Sequence, residues 1–281
     1  MATEATWVHR TARGAFAGPL DGARRRHVAA SQLSLLYVLA LTDFRARYRG
    51  QALGLTWSLL YPLAMVGVFS VVFRNVARVD LPHYPVYVLM GMVYWQLCTR
   101  AWPRATLVHF SQRDLSKRAT FPRYLLPAAT VLSSAVSFAI ESLLVFALAA
   151  ASPGSLELGW AWLALPVLAV LLVALLVGLA VATSSFCPFF RDVSFLVETL
   201  LLFLFWGTPI FYPLEALPAW AQPLVELNPL TCVLVALRTV LMHGTLPSGR
   251  LVALCFAWPL IALLTGALVY RLHAPRISDQ L

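Results

Sequence analysis

The sequence predicts an all-α polytopic membrane protein: six transmembrane helices, an N-terminal amphipathic helix at the membrane surface, and a re-entrant or outer hairpin between the fifth and sixth spans. Of its 281 residues, 60% are hydrophobic and only 12% are charged, about half the charged fraction of an ordinary soluble domain. The mean hydropathy is +0.77, and the charges lie in short segments between long apolar runs. This composition leaves too few charges to cover a water-facing surface, which excludes a soluble or disordered chain.

Six apolar runs are long enough to cross a hydrocarbon core of ~30 Å as helices. Two of them lie in the uncharged stretches Gly50–Phe73 and Leu158–Phe190, whereas Glu141 and Glu198 each interrupt another run. The predicted spans are 53–73, 82–102, 124–150, 160–186, 193–212 and 251–271, which together form a transmembrane domain over 50–272.

The basic residues predict the orientation of these spans. With both termini in the cytoplasm, 17 of the 21 Lys and Arg residues face the inside and 4, including Arg238, face the outside. This asymmetry follows the positive-inside rule and predicts a basic cytoplasmic tail over 1–27 and a second cytoplasmic tail over 273–281. The net charge of +9 then reflects topology and contact with membrane lipids, so no nucleic-acid partner is predicted.

The segment 28–49 is predicted to be an amphipathic helix in the inner interface. Large side chains recur on one helical stripe at Tyr37, Leu41, Phe44 and Tyr48. The segment ends in the charged residues Asp43, Arg45, Arg47 and Arg49, and Asp43 can pair with Arg47 one turn away. An apolar stripe with a basic end is typical of an interfacial helix. A spanning helix is the alternative, but it would invert the charge count of every later loop.

Prolines interrupt the segment between the fifth and sixth spans, 213–243. They stand at Pro213, Pro218, Pro223 and Pro229, and each removes a helical hydrogen bond. Irregular backbone is tolerated at membrane depth only where protein or a watery cavity covers it. We therefore expect the re-entrant or outer hairpin here, and the apolar run Leu227–Leu237 is too short to cross the membrane.

Motifs for catalysis and for nucleotide or metal binding are missing. There is no G-x-S-x-G or H-E-x-x-H, and Lys117, the only lysine, is not preceded by the glycines of a phosphate-binding loop. We predict no catalytic residue, cofactor or metal in this chain. Glu141 and Glu198 leave a proton-coupled carrier open, although local hydrogen bonding is the more ordinary role for both. A membrane glycosyltransferase or lipid enzyme is a further functional class that stays open.

Five short motifs follow one another in a fixed order. They are Asp43-Phe44-Arg45-Ala46-Arg47-Tyr48-Arg49 with Leu53-Gly54, Trp57 and Pro62; Phe121-Pro122-Arg123 with Leu126-Pro127; Phe190-Arg191-Asp192-Val193; Pro209-Ile210-Phe211-Tyr212-Pro213; and Asn228-Pro229-Leu230-Thr231. In order, spacing and predicted placement they resemble the ABC-2 type permeases that export polysaccharides. Those permeases are the membrane subunits of ATP-binding-cassette exporters for O-antigen, capsule, teichoic acid and galactan chains.

The resemblance implies a homodimeric permease in the bacterial cytoplasmic (inner) membrane, with a conduit between the two subunits. Two copies of a separate nucleotide-binding subunit would bind ATP and Mg²⁺ and hydrolyse the ATP. The substrate would be a lipid-linked polysaccharide moved from the cytoplasmic to the outer side. A drug- or small-lipid-exporting permease of the ABC type is the alternative, because such permeases share the six-span plan.

The same resemblance places the ATPase contact on the loop 112–123, with a short coupling helix near 113–120. The docking residues would be Arg113, Asp114, Lys117, Arg118, Phe121, Pro122 and Arg123. The plainer alternative is that these charges only fix the topology.

Aromatic residues of the first, second and fifth spans are candidates for the conduit and its gate, because aromatic faces stack on sugar rings. They are Tyr61, Phe69, Tyr87, Tyr94, Trp95, Phe205, Trp206, Phe211 and Tyr212. We expect Phe211 and Tyr212, at the break after the fifth span, to form part of a movable outer gate. Aromatic residues also collect at membrane interfaces for other reasons, which is the alternative.

Overall fold

A computed structural model describes residues 22–49, 56–75, 81–118 and 121–280, and these ranges contain helices, turns and loops but no strand. The helices in chain order are α1 (Gly22–Tyr48), α2 (Thr56–Asn75), α3 (Tyr84–Thr106), α4 (Val108–Ser111), α5 (Arg113–Arg118), α6 (Leu125–Ala150), α7 (Leu165–Phe186), α8 (Val193–Gly207), α9 (Gln222–Glu226), α10 (Pro229–His243) and α11 (Gly249–Gln280). Single 3₁₀ turns lie at Trp160–Ala164 and Leu214–Ala216.

Three of the described helices are long and apolar enough to cross a membrane. They are Leu125–Ala150, Trp160–Phe186 and Gly249–Ala274. Shorter apolar helices accompany them at Thr56–Val72, Val193–Gly207 and Pro229–His243. The prediction of an all-helical, multi-pass membrane protein is confirmed by this arrangement.

Helix α3 lies at the centre of the bundle, and α2, α6, α7 and α8 all pack against it. The most intimate contact, however, is between α7 and α11. A Cβ atom on Gly178 would lie 2.3 Å from the carbonyl carbon of Ala262, and one on Gly266 would lie 2.5 Å from the carbonyl oxygen of Gly178. Small residues at these positions let the two backbones touch, as is usual where helices associate in membranes.

Several helix ends differ from the predicted boundaries. Helix α8 ends at Gly207, five residues before the predicted end of the fifth span, because Thr208 is extended and Pro209 has no N–H for a further turn. Helix α11 runs on to Gln280 through the segment predicted as a tail. Helix α1 begins at Gly22, while the rest of the predicted N-terminal tail, 1–21, lies outside the described residues.

The proline-rich segment 213–243 ends in a regular helix instead of remaining irregular. Asn228 is its N-cap, with the side-chain oxygen accepting from the Leu230 N–H at 2.9 Å, and Pro229 takes the first helical position. Both residue types are favoured there, because the cap satisfies a free N–H and proline has none to satisfy. The last proline of the series therefore starts α10, whereas we had expected it to interrupt a helix.

Candidate functional site

The non-helical stretch after α8 is held by four side-chain hydrogen bonds to four consecutive carbonyl groups. The Arg238 guanidinium donates to the Pro209 and Ile210 carbonyls. The Tyr84 hydroxyl donates to the Phe211 carbonyl at 3.0 Å, and the Tyr87 hydroxyl donates to the Tyr212 carbonyl at 2.8 Å. We call these three side chains and the carbonyls of 209–212 the carbonyl clasp. It supplies the donors that the prolines and the extended backbone cannot, which is what irregular backbone needs at membrane depth.

Arg238 is buried without a carboxylate partner in the part of the chain that the structure describes. Its second Nη atom also donates to the Tyr87 carbonyl at 2.9 Å, and its central carbon lies 3.5 Å from the centroid of the Tyr87 ring. Gly91 makes room for it, since a Cβ there would lie 2.6 Å from the guanidinium nitrogen. The charge is therefore stabilised by carbonyl dipoles and an aromatic face.

The clasp fixes Phe211 in a packed aromatic cluster. The Phe211 side chain is only 3% exposed, and its ring centroid lies 3.9 Å from that of Phe69 and 5.4 Å from that of Phe205. Tyr212 donates a hydrogen bond to the Trp206 carbonyl at 3.1 Å. In the conformation described, side-chain donors therefore take the place of the helical ladder that this stretch lacks, and the outer gate stays a prediction.

The other predicted conduit aromatics divide by exposure. Tyr61 and Trp206 are exposed, whereas Phe69, Tyr87 and Phe205 are half-buried. Trp95 is buried against the Phe205 ring, with 5.5 Å between centroids. Tyr94 is 1% exposed and donates to the Leu230 carbonyl at 2.8 Å. Tyr94 therefore packs in the core between helices of this chain, where α10 covers its face of α3.

At the other end of α3, Arg100 and Glu141 form an ion pair between α3 and α6. The two terminal nitrogens of Arg100, Nη1 and Nη2, each donate to one carboxylate oxygen of Glu141, and the Glu141 side chain is fully buried. The Arg100 Nε donates to the Gln96 carbonyl at 3.1 Å. Two-point contact of this kind is the strongest form of such a pair. Sequence analysis singled out Glu141 but counted Arg100, at the end of the predicted span 82–102, among the cytoplasmic charges, and so missed its partner.

The charged end of α1 is fastened to α6. The terminal nitrogens of Arg47 donate to Ser133, Ser134 and Ser137, at 3.0 to 3.4 Å, and to Asp43 at 3.3 Å. Asp43 is also paired with Arg104 of α3 at 3.4 Å. Arg47 therefore faces α6, where three serine hydroxyls on one side of that helix accept its hydrogen bonds. Arg45 and Arg49 are exposed, as is Tyr37 of the predicted apolar stripe.

Helix α4, helix α5 and Arg123 make contact around a buried histidine. The Nδ1 atom of His109 lies 3.1 Å from the Ser116 hydroxyl, and the Arg123 Nε donates to the Ser116 carbonyl at 3.1 Å. Burial, followed by the nearby charge of Arg123, lowers the pKa of His109 to about 4, so the ring is neutral at pH 7. The Arg123 backbone N–H also donates to the Tyr270 hydroxyl at 3.2 Å.

Of the predicted docking residues, Arg113 is exposed on α5, and Phe121, Pro122 and Arg123 are half-buried. The side chains of Asp114, Lys117 and Arg118 lie outside the described part of the chain. Arg191, just before α8, lies over the Phe110 ring at 5.5 Å. Helix α8 therefore begins at the α5 end of the bundle, and the carbonyl clasp lies at the opposite end.

Comparison with known proteins identifies the family. The profile of the ABC-2 type transporter family matches residues 34–242, which is well over half of the chain. The chain belongs to this family. Its members are membrane subunits, and the sequence resemblance to polysaccharide-export permeases is confirmed by the individual relatives below.

Three curated relatives share the name O-antigen export system permease protein RfbA. One from Klebsiella pneumoniae is 28% identical over 214 residues, covering 75% of this chain and 82% of the relative. A second from the same species is 26% identical over 212 residues, with the same coverage of both chains. The one from Myxococcus xanthus is 26% identical over 247 residues, which covers 87% of this ABC-2 chain and 91% of the relative.

Arg238 is the residue of this ABC-2 chain that sequence reasoning missed most clearly. The signal was present in the sequence, because Arg238 is the one charged residue of the apolar stretch Leu230–Leu241. Placing such a charge in a membrane costs free energy unless the side chain has a partner. It was instead counted among the outer loop charges, as Arg100 was counted among the inner ones. Leaving both out does not change the sense of the charge asymmetry.

Proposed function

We propose that this chain is the permease subunit of an ATP-driven exporter that moves a lipid-linked polysaccharide from the cytoplasmic to the outer side of a bacterial inner membrane. The observation that carries the proposal is the ABC-2 match over residues 34–242 together with relatives named as O-antigen export permeases. The sequence itself has no phosphate-binding loop, so ATP and Mg²⁺ would be bound by a separate subunit.

The proposed topology has six crossings, formed by α2, α3, α6, α7, α8 and α11, with both termini in the cytoplasm. Helix α1 then lies at the inner surface, and the carbonyl clasp lies toward the outer side. Helix α10 takes the re-entrant position. The distribution of basic residues supports this orientation.

The proposed assembly is a homodimer of this chain with two nucleotide-binding subunits. Helix α5 would dock on the ATPase, and the contacts among His109, Ser116 and Arg123 support that role by stiffening the loop behind it. Replacing Arg113 and Lys117 together with Glu should leave the dimer intact and uncouple it from the ATPase, because charge-assisted contacts become repulsions. Normal glycan-stimulated ATPase activity in that variant would refute the docking site.

The decisive experiment reconstitutes the chain in lipid vesicles together with the nucleotide-binding subunit of its exporter. Lipid-linked glycan extracted from the source cells is added, and ATP hydrolysis and glycan translocation are measured together. We expect ATPase stimulation by the glycan and ATP-dependent translocation, both lost when the phosphate-binding lysine of the ATPase is replaced.

Two other outcomes would replace the proposal. Stimulation by small amphiphilic compounds and not by glycan would indicate a drug or small-lipid exporter. Transport driven by a proton gradient without the ATPase, and lost in Glu141→Gln, would indicate a secondary carrier. The pairing of Glu141 with Arg100 argues against the carrier, because both carboxylate oxygens are already occupied by a partner on the neighbouring helix.

A further inference from the structure

A groove between α3 and α8 contains a carboxylate that pairs with no residue in the described part of the chain. Its volume is about 380 Å³, and it is lined by Trp95, Thr99 and Pro103 from α3 and by Glu198 and Phe205, with two leucines, from α8. The contributing positions recur every three or four residues, so one face of each helix forms a wall. We call it the Glu198 groove.

Glu198 is exposed in this groove and makes no ion pair or hydrogen bond with any residue that the structure describes. It differs in this from Glu141, whose two oxygens are both occupied by Arg100. A free carboxylate on a helix of a membrane protein is costly unless it meets water or a ligand. The position of Glu198 in a groove rather than on a featureless helix face provides the space for one.

The opposite wall adds further hydrogen-bond acceptors. The Thr99 hydroxyl donates to the Trp95 carbonyl at 3.1 Å, which leaves its oxygen lone pairs available to accept. Pro103 lacks the N–H that would otherwise bond to the Thr99 carbonyl one turn earlier. The groove therefore combines acceptors at Glu198 and Thr99 with the aromatic rings of Trp95 and Phe205, whose centroids are 5.5 Å apart.

These groups select among the parts of an amphiphilic substrate. A phosphate would be repelled by the Glu198 carboxylate, and an acyl chain would gain nothing from acceptors that it cannot bond. A sugar ring carries hydroxyl donors for the carboxylate and C–H faces for the aromatic rings. The volume lies near the lower end of the ~300–1,000 Å³ range of small-ligand sites, which also fits a ring better than a long chain.

We infer that the Glu198 groove binds a sugar residue of the exported glycan, with the Glu198 carboxylate accepting hydrogen bonds from sugar hydroxyls. The inference rests on the proposed function and goes beyond it by assigning a specificity-determining residue. In the proposed topology the groove lies toward the cytoplasmic end, because Glu198 follows soon after Arg191 at the start of α8. It would contact the glycan as it enters and disfavour sugars that carry carboxylates of their own.

The test measures ATPase stimulation of the reconstituted complex against the concentration of extracted lipid-linked glycan. Glu198→Leu should raise the half-saturating concentration by about tenfold, the loss of one charge-assisted contact. Glu198→Gln, which keeps one acceptor oxygen, should give a smaller increase. Thr199→Val is the matched control, because Thr199 is an exposed polar neighbour that does not line the groove, and it should behave like the wild type.

A second measurement keeps the inference testable if Glu198→Leu fails to fold. A photo-reactive benzoylphenylalanine replaces Leu202, which lines the groove, or Leu196, which does not. Glycan should crosslink at 202 far more than at 196. Wild-type half-saturation in Glu198→Leu, or equal crosslinking at both positions, would overturn the groove assignment while glycan transport stands. A wild-type complex that glycan does not stimulate would overturn the proposed function and this inference with it.

Discussion

Two arginines near opposite ends of α3, Arg100 half-buried and Arg238 buried, are stabilised by different chemistry. Arg100 is paired with the carboxylate of Glu141, so one positive charge meets one negative charge. Arg238 meets the carbonyls of Tyr87, Pro209 and Ile210 and the face of Tyr87, with no carboxylate among the described residues within ion-pair distance. The first arrangement joins two helices and can be removed as a unit. The second supplies donors to irregular backbone, so removing the guanidinium leaves the Pro209 and Ile210 carbonyls without a donor.

The largest expected effect comes from breaking the ion pair on one side. Glu141→Leu should lower the free energy of unfolding by about 3–5 kcal/mol, because it leaves the Arg100 charge uncompensated between α3 and α6. Adding Arg100→Met should restore stability to within about 1 kcal/mol of the wild type. Both are measured by denaturation of the purified protein in detergent. A double variant no more stable than Glu141→Leu would contradict this account of the pair.

Arg238→Met should cost about 2–4 kcal/mol, since it orphans the Pro209 and Ile210 carbonyls at ~1–2 kcal/mol each. Arg238→Lys should not restore this stability, because an ammonium group lacks the fork that reaches both carbonyls. The same denaturation assay applies, and hydrogen exchange of the amides in 207–214 should rise at the same time. A fully stable lysine variant would show that charge alone, and not the two-point geometry, holds the segment.

Gly91→Ala tests the space that the clasp requires. The added methyl group would meet the Arg238 guanidinium at 2.6 Å, and we expect a loss of about 1–3 kcal/mol from the forced shift. The loss should shrink in the Arg238→Met background, where a flexible side chain occupies that space. Gly67→Ala is the matched control, because no atom lies within 4 Å of a Cβ there. Equal effects of Gly91→Ala with and without Arg238 would show that contact with Ile210, at 3.0 Å, and not with the guanidinium determines the loss.

The smallest expected effect belongs to the two tyrosines of the clasp. Tyr84→Phe and Tyr87→Phe each remove one hydrogen bond to a carbonyl, and each should cost about 1 kcal/mol. Tyr61→Phe, at an exposed position, should leave the melting temperature unchanged. If Tyr87→Phe costs far more than Tyr84→Phe, the aromatic contact with Arg238 depends on the hydroxyl, and the clasp acts as one network.

The outcome at segment 209–213 illustrates how sequence and structure differ. Its prolines were sufficient to predict that the backbone leaves the helix, because that consequence is local. They could not reveal whether the freed carbonyls stay open or are bonded. That depends on Arg238, Tyr84 and Tyr87, which are distant in the chain. Local chemistry alone left these carbonyls without donors, and α3 and α10 supply them in the folded chain.

By itself, the sequence determined that this protein is embedded in a membrane, that it is helical and which family it belongs to. Hydropathy, charge placement and short motifs act through composition and local spacing, which remain readable before the chain folds. Only the tertiary structure decided which charges are buried and with what partners: Arg100 with Glu141, Arg47 with serines of α6, and Arg238 with carbonyls. These pairings join residues tens of positions apart, and a charge at the end of an apolar run looks the same in sequence whether it faces water or a partner. Helix packing makes that choice.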